Sequence, residues 1–246
     1  MYTERYGKGE KVIFVHGSGW NTNMWNNQRD YLKSFMEVIL VDLPGHGKSP
    51  GTGCDSIEEY NDAVYGMIGD LDIGKCFVAG HSLGGAIALS LSLAHAEIIK
   101  GIILIGTGAK LRVHPSILDN IITDKEKTVR NIGTLAFSKN VSSALRDQAF
   151  NETMKCKSEV IYKDFRACDR FSVMESVSSL SVPALILCGT DDVLTLPKYS
   201  AYLNASIRGS RLVFIEEAGH MVMMEKPMEV NSAIEEFVNN MQRAAP

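Results

Sequence analysis

The chain has 246 residues, 45% of them hydrophobic and 22% charged, with a formal net charge of −4. That length and apolar fraction suit one α/β unit with a single large core. The acidic balance supplies no basic footprint, so neither nucleic acid nor an anionic membrane surface is expected as a partner.

Tyr2 to Tyr6 is available for an edge strand before the Gly7-Lys8-Gly9 turn. Lys11 to Val15 is a short apolar run ending in the flexible turn His16-Gly17-Ser18-Gly19, as a buried strand would. Residues 23–35 follow as a helix with Trp25, Leu32 and Phe35 facing inward. The next buried strand, residues 38–41, runs into the compact loop Asp42-Leu43-Pro44-Gly45-His46-Gly47-Lys48-Ser49. Residues 56–70 read as a helix, with Ser56 and Glu59 at capping-box spacing. Residues 76–79 form a buried strand that turns sharply into a helix over 83–94, and residues 101–105 a further strand.

The pattern then changes. Residues 108–180 hold no strand-like run, only helical segments near 115–122, 124–137, 142–156 and 158–168. After them come a strand at 184–189, a helix at 197–206, a strand at 211–215 and a last helix at 227–241. In that helix Val230, Ile234, Phe237, Val238 and Met241 recur at helical spacing, and Pro227 fits the first turn, where its missing N–H costs nothing.

Continuous Val/Ile/Leu runs alternating with helices predict an α/β fold, a mostly parallel central sheet with helices on both faces. Residues 1–107 and 181–246 are expected to form that core, with 108–180 a helical lid inserted between two of its strands. The segments flanking the insertion need each other to complete the sheet. Cys54, Cys76, Cys156, Cys168 and Cys188 are scattered with no C-x-x-C pair, so buried reduced thiols are expected. No apolar run reaches the roughly 18 residues of a spanning helix. The first residues lack the basic-then-apolar pattern of a signal peptide, and the expected location is the cytoplasm.

Gly80-His81-Ser82-Leu83-Gly84, between strand and helix, fits the G-x-S-x-G nucleophile elbow. A strained apex lifts the serine Oγ clear of the sheet, and a Cβ two residues to either side would collide with the tight turn. A serine hydroxyl is a poor nucleophile until a base takes its proton, and a third group must hold that base in one tautomer. Among the histidines, His81 adjoins the serine but is expected to point to the wrong side of the elbow. His16 and His46 precede Ser82, His95 ends the elbow helix and His114 lies in the insertion. That leaves His220, just after a buried strand. The carboxylate belongs after the strand before that, in Gly189-Thr190-Asp191-Asp192-Val193, where two neighbours compete. Open parallel sheets place their sites beyond the carboxyl ends of strands, where all these groups fall.

On these motifs, with His16-Gly17-Ser18-Gly19 and Asp42 to Ser49, the chain resembles the α/β-hydrolase superfamily over nearly its whole length. The resemblance implies acyl transfer to water at an ester-type bond of a small, largely apolar substrate, with Ser82 as nucleophile and His220 as base. The acid in that family commonly sits three residues beyond the glycine ending its strand, which selects Asp192 over Asp191. The oxyanion needs two preorganised N–H donors, expected from Leu83 at the start of the elbow helix and from Ser18. Trp20 and Met221 are candidates to wall a substrate pocket, while residues 221–224 otherwise read as core. Arg166, Asp169 and Arg170 read as a solvated helix face. No metal or organic cofactor is implied, and a small molecule is the expected partner.

A serine nucleophile argues against the dehalogenase and epoxide-hydrolase branches, which carry aspartate there. Three alternatives stay open. The carbon–carbon-bond hydrolase branch tends to carry tryptophan where this chain has Met221. The cofactor-free haloperoxidase-like branch has a different elbow. The third is a ligand receptor that keeps the triad and signals through the lid.

Overall fold

A computed structural model describes residues 1–244. The elements, in chain order, are β1 (Tyr2–Tyr6), β2 (Lys11–Val15), α1 (Asn26–Leu32), β3 (Glu37–Asp42), α2 (Ile57–Asp70), β4 (Cys76–His81), α3 (Leu83–Ala94) and β5 (Ile99–Ile105). There follow α4 (Pro115–Thr123), α5 (Lys125–Ala136), α6 (Ser143–Lys155), α7 (Ser158–Arg170), β6 (Ala184–Gly189), α8 (Pro197–Ser206), β7 (Arg211–Ile215), α9 (Val222–Glu225) and α10 (Pro227–Ala244).

The strands form one seven-stranded sheet in the order β1-β3-β2-β4-β5-β6-β7. Only β1 is antiparallel to its neighbour; β3-β2-β4-β5-β6-β7 are parallel throughout. The parallel strands between the two edges need crossovers and are covered on both faces, which is why they are largely apolar runs. The buried strand expected ahead of His220 is corrected: β7 closes the far edge of the sheet, with Arg211 and Phe214 exposed and Ile215 buried. Successive side chains alternate between the faces. Ile13, Val15, Ile39, Val78, Ile102 and Leu104 meet α2 and α3 on one side. Val12, Phe14, Val38, Leu40, Phe77 and Ile103 meet α1 and α10 on the other. This geometry brings the carboxyl ends of β2, β4, β6 and β7 to one edge.

Helix α2 starts where Ser56 Oγ accepts from Glu59 N–H at 3.2 Å, and Glu59 reaches back to Asp55 N–H at 3.0 Å, one residue before the usual box partner. The expected helix over 23–35 is corrected. It divides into a 3₁₀ turn at Thr22–Trp25 and the shorter α1, and Phe35 is 46% exposed. Past Leu32 the chain tightens, with Phe35 N–H and Met36 N–H both on the Leu32 carbonyl, and Met36 takes the inward place.

Helices α4 to α7 lie between β5 and β6, and the two ends of this stretch meet in an antiparallel bridge between Lys110 and Ser172. Ile121, Val129, Cys156, Val160 and Ile161 give the helices a small apolar centre of their own. Their charges depart from the expected solvated face. Arg166 pairs with Asp55 ahead of α2, and Asp169 accepts from Val113 N–H at 3.1 Å beside Arg112; Arg170 is exposed as expected. All five cysteines are unpaired thiols, four of them buried. Among the described residues, no helix is long and apolar enough to cross a membrane.

Candidate active site

At the β4–α3 junction Ser82 has φ 52° and ψ −111°, in the left-handed region that side chains rarely enter. The strain is held by a full set of bonds. Ser82 N–H donates to Ile105 O at 3.0 Å, while Ser82 O accepts from Gly85 N–H at 3.0 Å, Ala86 N–H at 3.1 Å and Thr107 Oγ1 at 2.9 Å. The glycines are there for clearance. A Cβ on Gly80 would lie 2.1 Å from Gly84 O, and one on Gly84 would lie 2.2 Å from Val15 O.

His220 sits in the loop between β7 and α9. Its Nδ1 lies 2.9 Å from Asp192 Oδ2, and Thr195 Oγ1 donates to the same oxygen at 2.7 Å. The other oxygen, Asp192 Oδ1, accepts from Leu194 N–H at 2.9 Å and Thr195 N–H at 2.8 Å. Asp192 is therefore a buried carboxylate whose acceptors are engaged. Burial pushes its pKa up, but the neighbouring His220 and the Thr195 bonds prevail and hold it down at about 2. Asp191 is exposed, and among the described residues no hydrogen bond or ion pair joins it to the histidine. With Nδ1 donated to Asp192, the other nitrogen of His220 is the one left as an acceptor.

Ser82 and His220 line one cavity of about 600 Å³, and no hydrogen bond joins them among the described residues. Catalytic bonds often tighten only when substrate is bound. The loops after β2 and β7 contribute Gly17, Ser18, Trp20 and Met221 to the same cavity, and α4 to α7 contribute Ile117, Val129, Phe150, Ile161 and Phe165 among others. The lining is largely apolar, with Arg112 as its one lysine or arginine.

The turn after β2 is fixed from within the core. The His16 ring donates from Nδ1 to Gly17 O at 2.8 Å and accepts at Nε2 from Leu43 N–H at 3.0 Å, so one neutral tautomer satisfies both contacts. Burial, with His46 and His81 nearby, pushes His16 well below the ordinary histidine range. Trp20 N–H also donates to Gly17 O, at 3.2 Å. A trans peptide carries N–H opposite C=O, so engaging Gly17 O turns the Ser18 N–H the other way. Leu83 N–H is one of the first, intrahelically unpaired donors of α3.

Three features were beyond the motifs. His81 does not turn away from the site. Strand alternation sets it on the face of Phe77 and Ala79, where its ring packs 4.5 Å from that of His220. Thr195 is the second, and the Asp-x-x-Thr spacing, which lets a carboxylate accept from the backbone just ahead, is its one local signal. The third is His46, which meets Asp164 of α7. The Asp42–Ser49 loop does hold structure as expected, with Asp42 accepting from Thr22 N–H at 2.7 Å and Lys48 N–H at 2.8 Å. Among the described residues, no group of three His, Cys, Asp or Glu side chains is placed to hold a metal ion.

The sheet order, the elbow and the loop-borne pair beside it are those of an alpha/beta hydrolase. The model of the alpha/beta hydrolase family matches residues 12–233, and the chain belongs to that family. It is 29% identical to the AB hydrolase superfamily protein YisY of Bacillus subtilis, over 98% of this chain and 96% of that one. A pimeloyl-[acyl-carrier protein] methyl ester esterase of Neisseria meningitidis is 25% identical, with 93% of each chain covered. Among solved structures, a thermophilic esterase is 33% identical and superposes with a TM-score of 0.86, over 98% of this chain and 99% of that one.

Proposed function

We propose that the protein is a serine hydrolase that cleaves an ester-type bond of a small, largely apolar substrate through an acyl-enzyme. The observation that carries this is the buried 2.9 Å contact between Asp192 and His220 in a cavity that also receives Ser82 from a strained elbow. A hydroxyl held at positive φ and an oriented imidazole in a largely apolar pocket are what nucleophilic acyl transfer needs.

In the first half-reaction Ser82 Oγ attacks the ester carbonyl carbon and its proton passes to His220. Asp192 stabilises the imidazolium that forms, and the Ser18 and Leu83 N–H groups hold the oxyanion. Collapse of the intermediate breaks the C–O bond, and His220 returns the proton to the departing alcohol. Water then repeats the attack on the acyl-Ser82 carbonyl, giving its proton to His220, and the acid leaves as Ser82 is restored. Residues 108–180 act as a lid over this site, set on the core of 1–107 and 181–246. Trp20 and Met221 wall the acyl or alcohol side.

The apolar lining supports an apolar substrate, and the two similar proteins named as esterases support ester cleavage. Met221, where the carbon–carbon branch tends to carry tryptophan, points the same way. Purified protein is expected to hydrolyse short-chain p-nitrophenyl esters and to take up one fluorophosphonate label, both lost in Ser82→Ala. Unchanged turnover in that variant would rule the assignment out.

A further inference from the structure

The turn that carries Ser18 is gripped from a second side, by a residue that does not belong to the sheet. Gly19 has φ 70°, and its N–H donates to Asp164 Oδ2 at 2.8 Å. Asp164 lies in the middle of α7 and is fully buried. Its carboxylate also takes His46 Nε2 at 2.9 Å and the Tyr60 hydroxyl at 2.5 Å. His46 Nδ1 faces Pro44 O at 3.1 Å. With an acceptor at each nitrogen, the His46 ring donates from both and sits as an imidazolium against the carboxylate.

Neighbouring residues on the same face of α7 reach the same turn. A Cβ on Gly19 would come within 3.2 Å of Ile161 Cγ1, and Cys168 Sγ lies 3.9 Å from Ser18 Oγ. Positions 161, 164 and 168 fall on one side of a helix. The peptides of residues 17–19 are thus held by His16 from the sheet and by Asp164 from the inserted helices.

We propose that Asp164 is a positioning residue for the hydrolysis: by fixing the Gly19 N–H it sets the preceding Ser18 peptide as an oxyanion donor, so that seating α7 on the core and assembling the donor are one event. This rests on the serine-hydrolase assignment. A protein with α7 displaced still has Ser82, Asp192 and His220, but its Ser18 donor is unaligned. The loss falls on the transition state rather than on binding of the ester, because the oxyanion exists only there.

The test compares Asp164→Ala and Asp164→Ser, whose side chains no longer span to Gly19, with Asp164→Asn, which keeps an acceptor for it. Turnover of a p-nitrophenyl ester is divided by the concentration of Ser82 sites titrated to completion with a fluorophosphonate. Removing one oxyanion donor costs on the order of a hundredfold, so a misaligned one is expected to lower kcat per labelled site about ten- to hundredfold in Ala and Ser. KM changes less than about threefold and Asn recovers most of the rate, the pattern of an interaction made only in the transition state. Serine leaves a polar group beside His46 and Tyr60, so it serves if the alanine protein does not fold. Wild-type kcat per labelled site in Ala or Ser, with only the labelled fraction or the melting temperature reduced, would show a mere fold anchor and overturn the proposal. A wild-type protein that neither labels nor turns over would instead remove the hydrolase assignment, and this proposal with it.

Discussion

His81 Nε2 stands 3.0 Å from the carbonyl oxygen of His220, and the two imidazole rings lie 4.5 Å apart. The carbonyl can only accept, so His81 donates from Nε2. Burial and the neighbouring His220 push His81 well below the ordinary histidine range and keep it neutral. Among the described residues its Nδ1 has no partner, and a Cβ on Gly17 would come within 2.7 Å of it. The residue before the elbow serine therefore braces the loop that carries the proposed base.

His81→Phe keeps the ring and removes the donor, leaving the His220 carbonyl unpaired. Losing a buried hydrogen bond of this kind costs about 1–3 kcal/mol. The expected outcome is a folded protein whose ester turnover falls about tenfold, as a slightly misplaced base requires. The checks are kcat on a p-nitrophenyl ester beside a urea unfolding curve. Wild-type kcat would show that His81 is packing alone.

Stability should fall at both ends of the pH scale, for separate reasons. Asp192, held at about 2 by His220 and Thr195 against its burial, has a folded pKa below the unfolded one. Its contribution is present above the ordinary aspartate range and disappears as pH drops from about 4 towards about 2, an effect on the order of 2 kcal/mol. His46 is the opposite case. Burial would lower it, but Asp164 against Nε2 raises it well above the ordinary histidine range, with Tyr60, Cys156 and the His16 ring as its other neighbours. Its contribution is complete below about pH 6.5 and is lost as pH rises through the folded value. Urea unfolding across pH should show a shallower acid limb in Asp192→Asn and a shallower alkaline limb in His46→Gln.

Two glycine-to-alanine substitutions should move stability in opposite directions. A Cβ on Gly84 would meet Val15 O at 2.2 Å and His16 O at 2.8 Å, both backbone atoms at the end of a central strand. Neither side can give way, and Gly84→Ala is expected to cost more than about 3 kcal/mol. Gly66 on α2 has nothing within 4 Å of a built Cβ. Gly66→Ala should stabilise by about 0.4–1 kcal/mol through the unfolded chain. Urea unfolding midpoints of the two variants decide it, and equal effects would contradict the close approach of α3 to β2.

Much of this protein is written locally. Strands covered on both faces are apolar along their middles, so residues 12–15, 76–79, 101–105 and 184–188 stand out as short runs without a charged residue whatever they pair with. Close approach of helix to strand demands glycine at 80 and 84, and the elbow is visible in that spacing. The residue pattern left Asp191 and Asp192 open until the family resemblance chose between them, but Ser82, His220 and both aspartates each come after a strand, and parallel strands end on one edge. Chain order alone therefore brings their loops near each other. It did not settle how a turn ends: Phe35 and Met36 are adjacent and both apolar, and only the tightening after Leu32 sends Met36 inward. Nor did it reveal that His81 faces His220, or that Arg166 meets Asp55. The pairing of His46 with Asp164 spans 118 residues, and neither side chain carries a local pattern that names the other. Backbone periodicity and steric clearance act between near neighbours and so leave their mark in the order of residues. A buried ion pair exists only after α7 has packed on the core, because until then water solvates both charges separately.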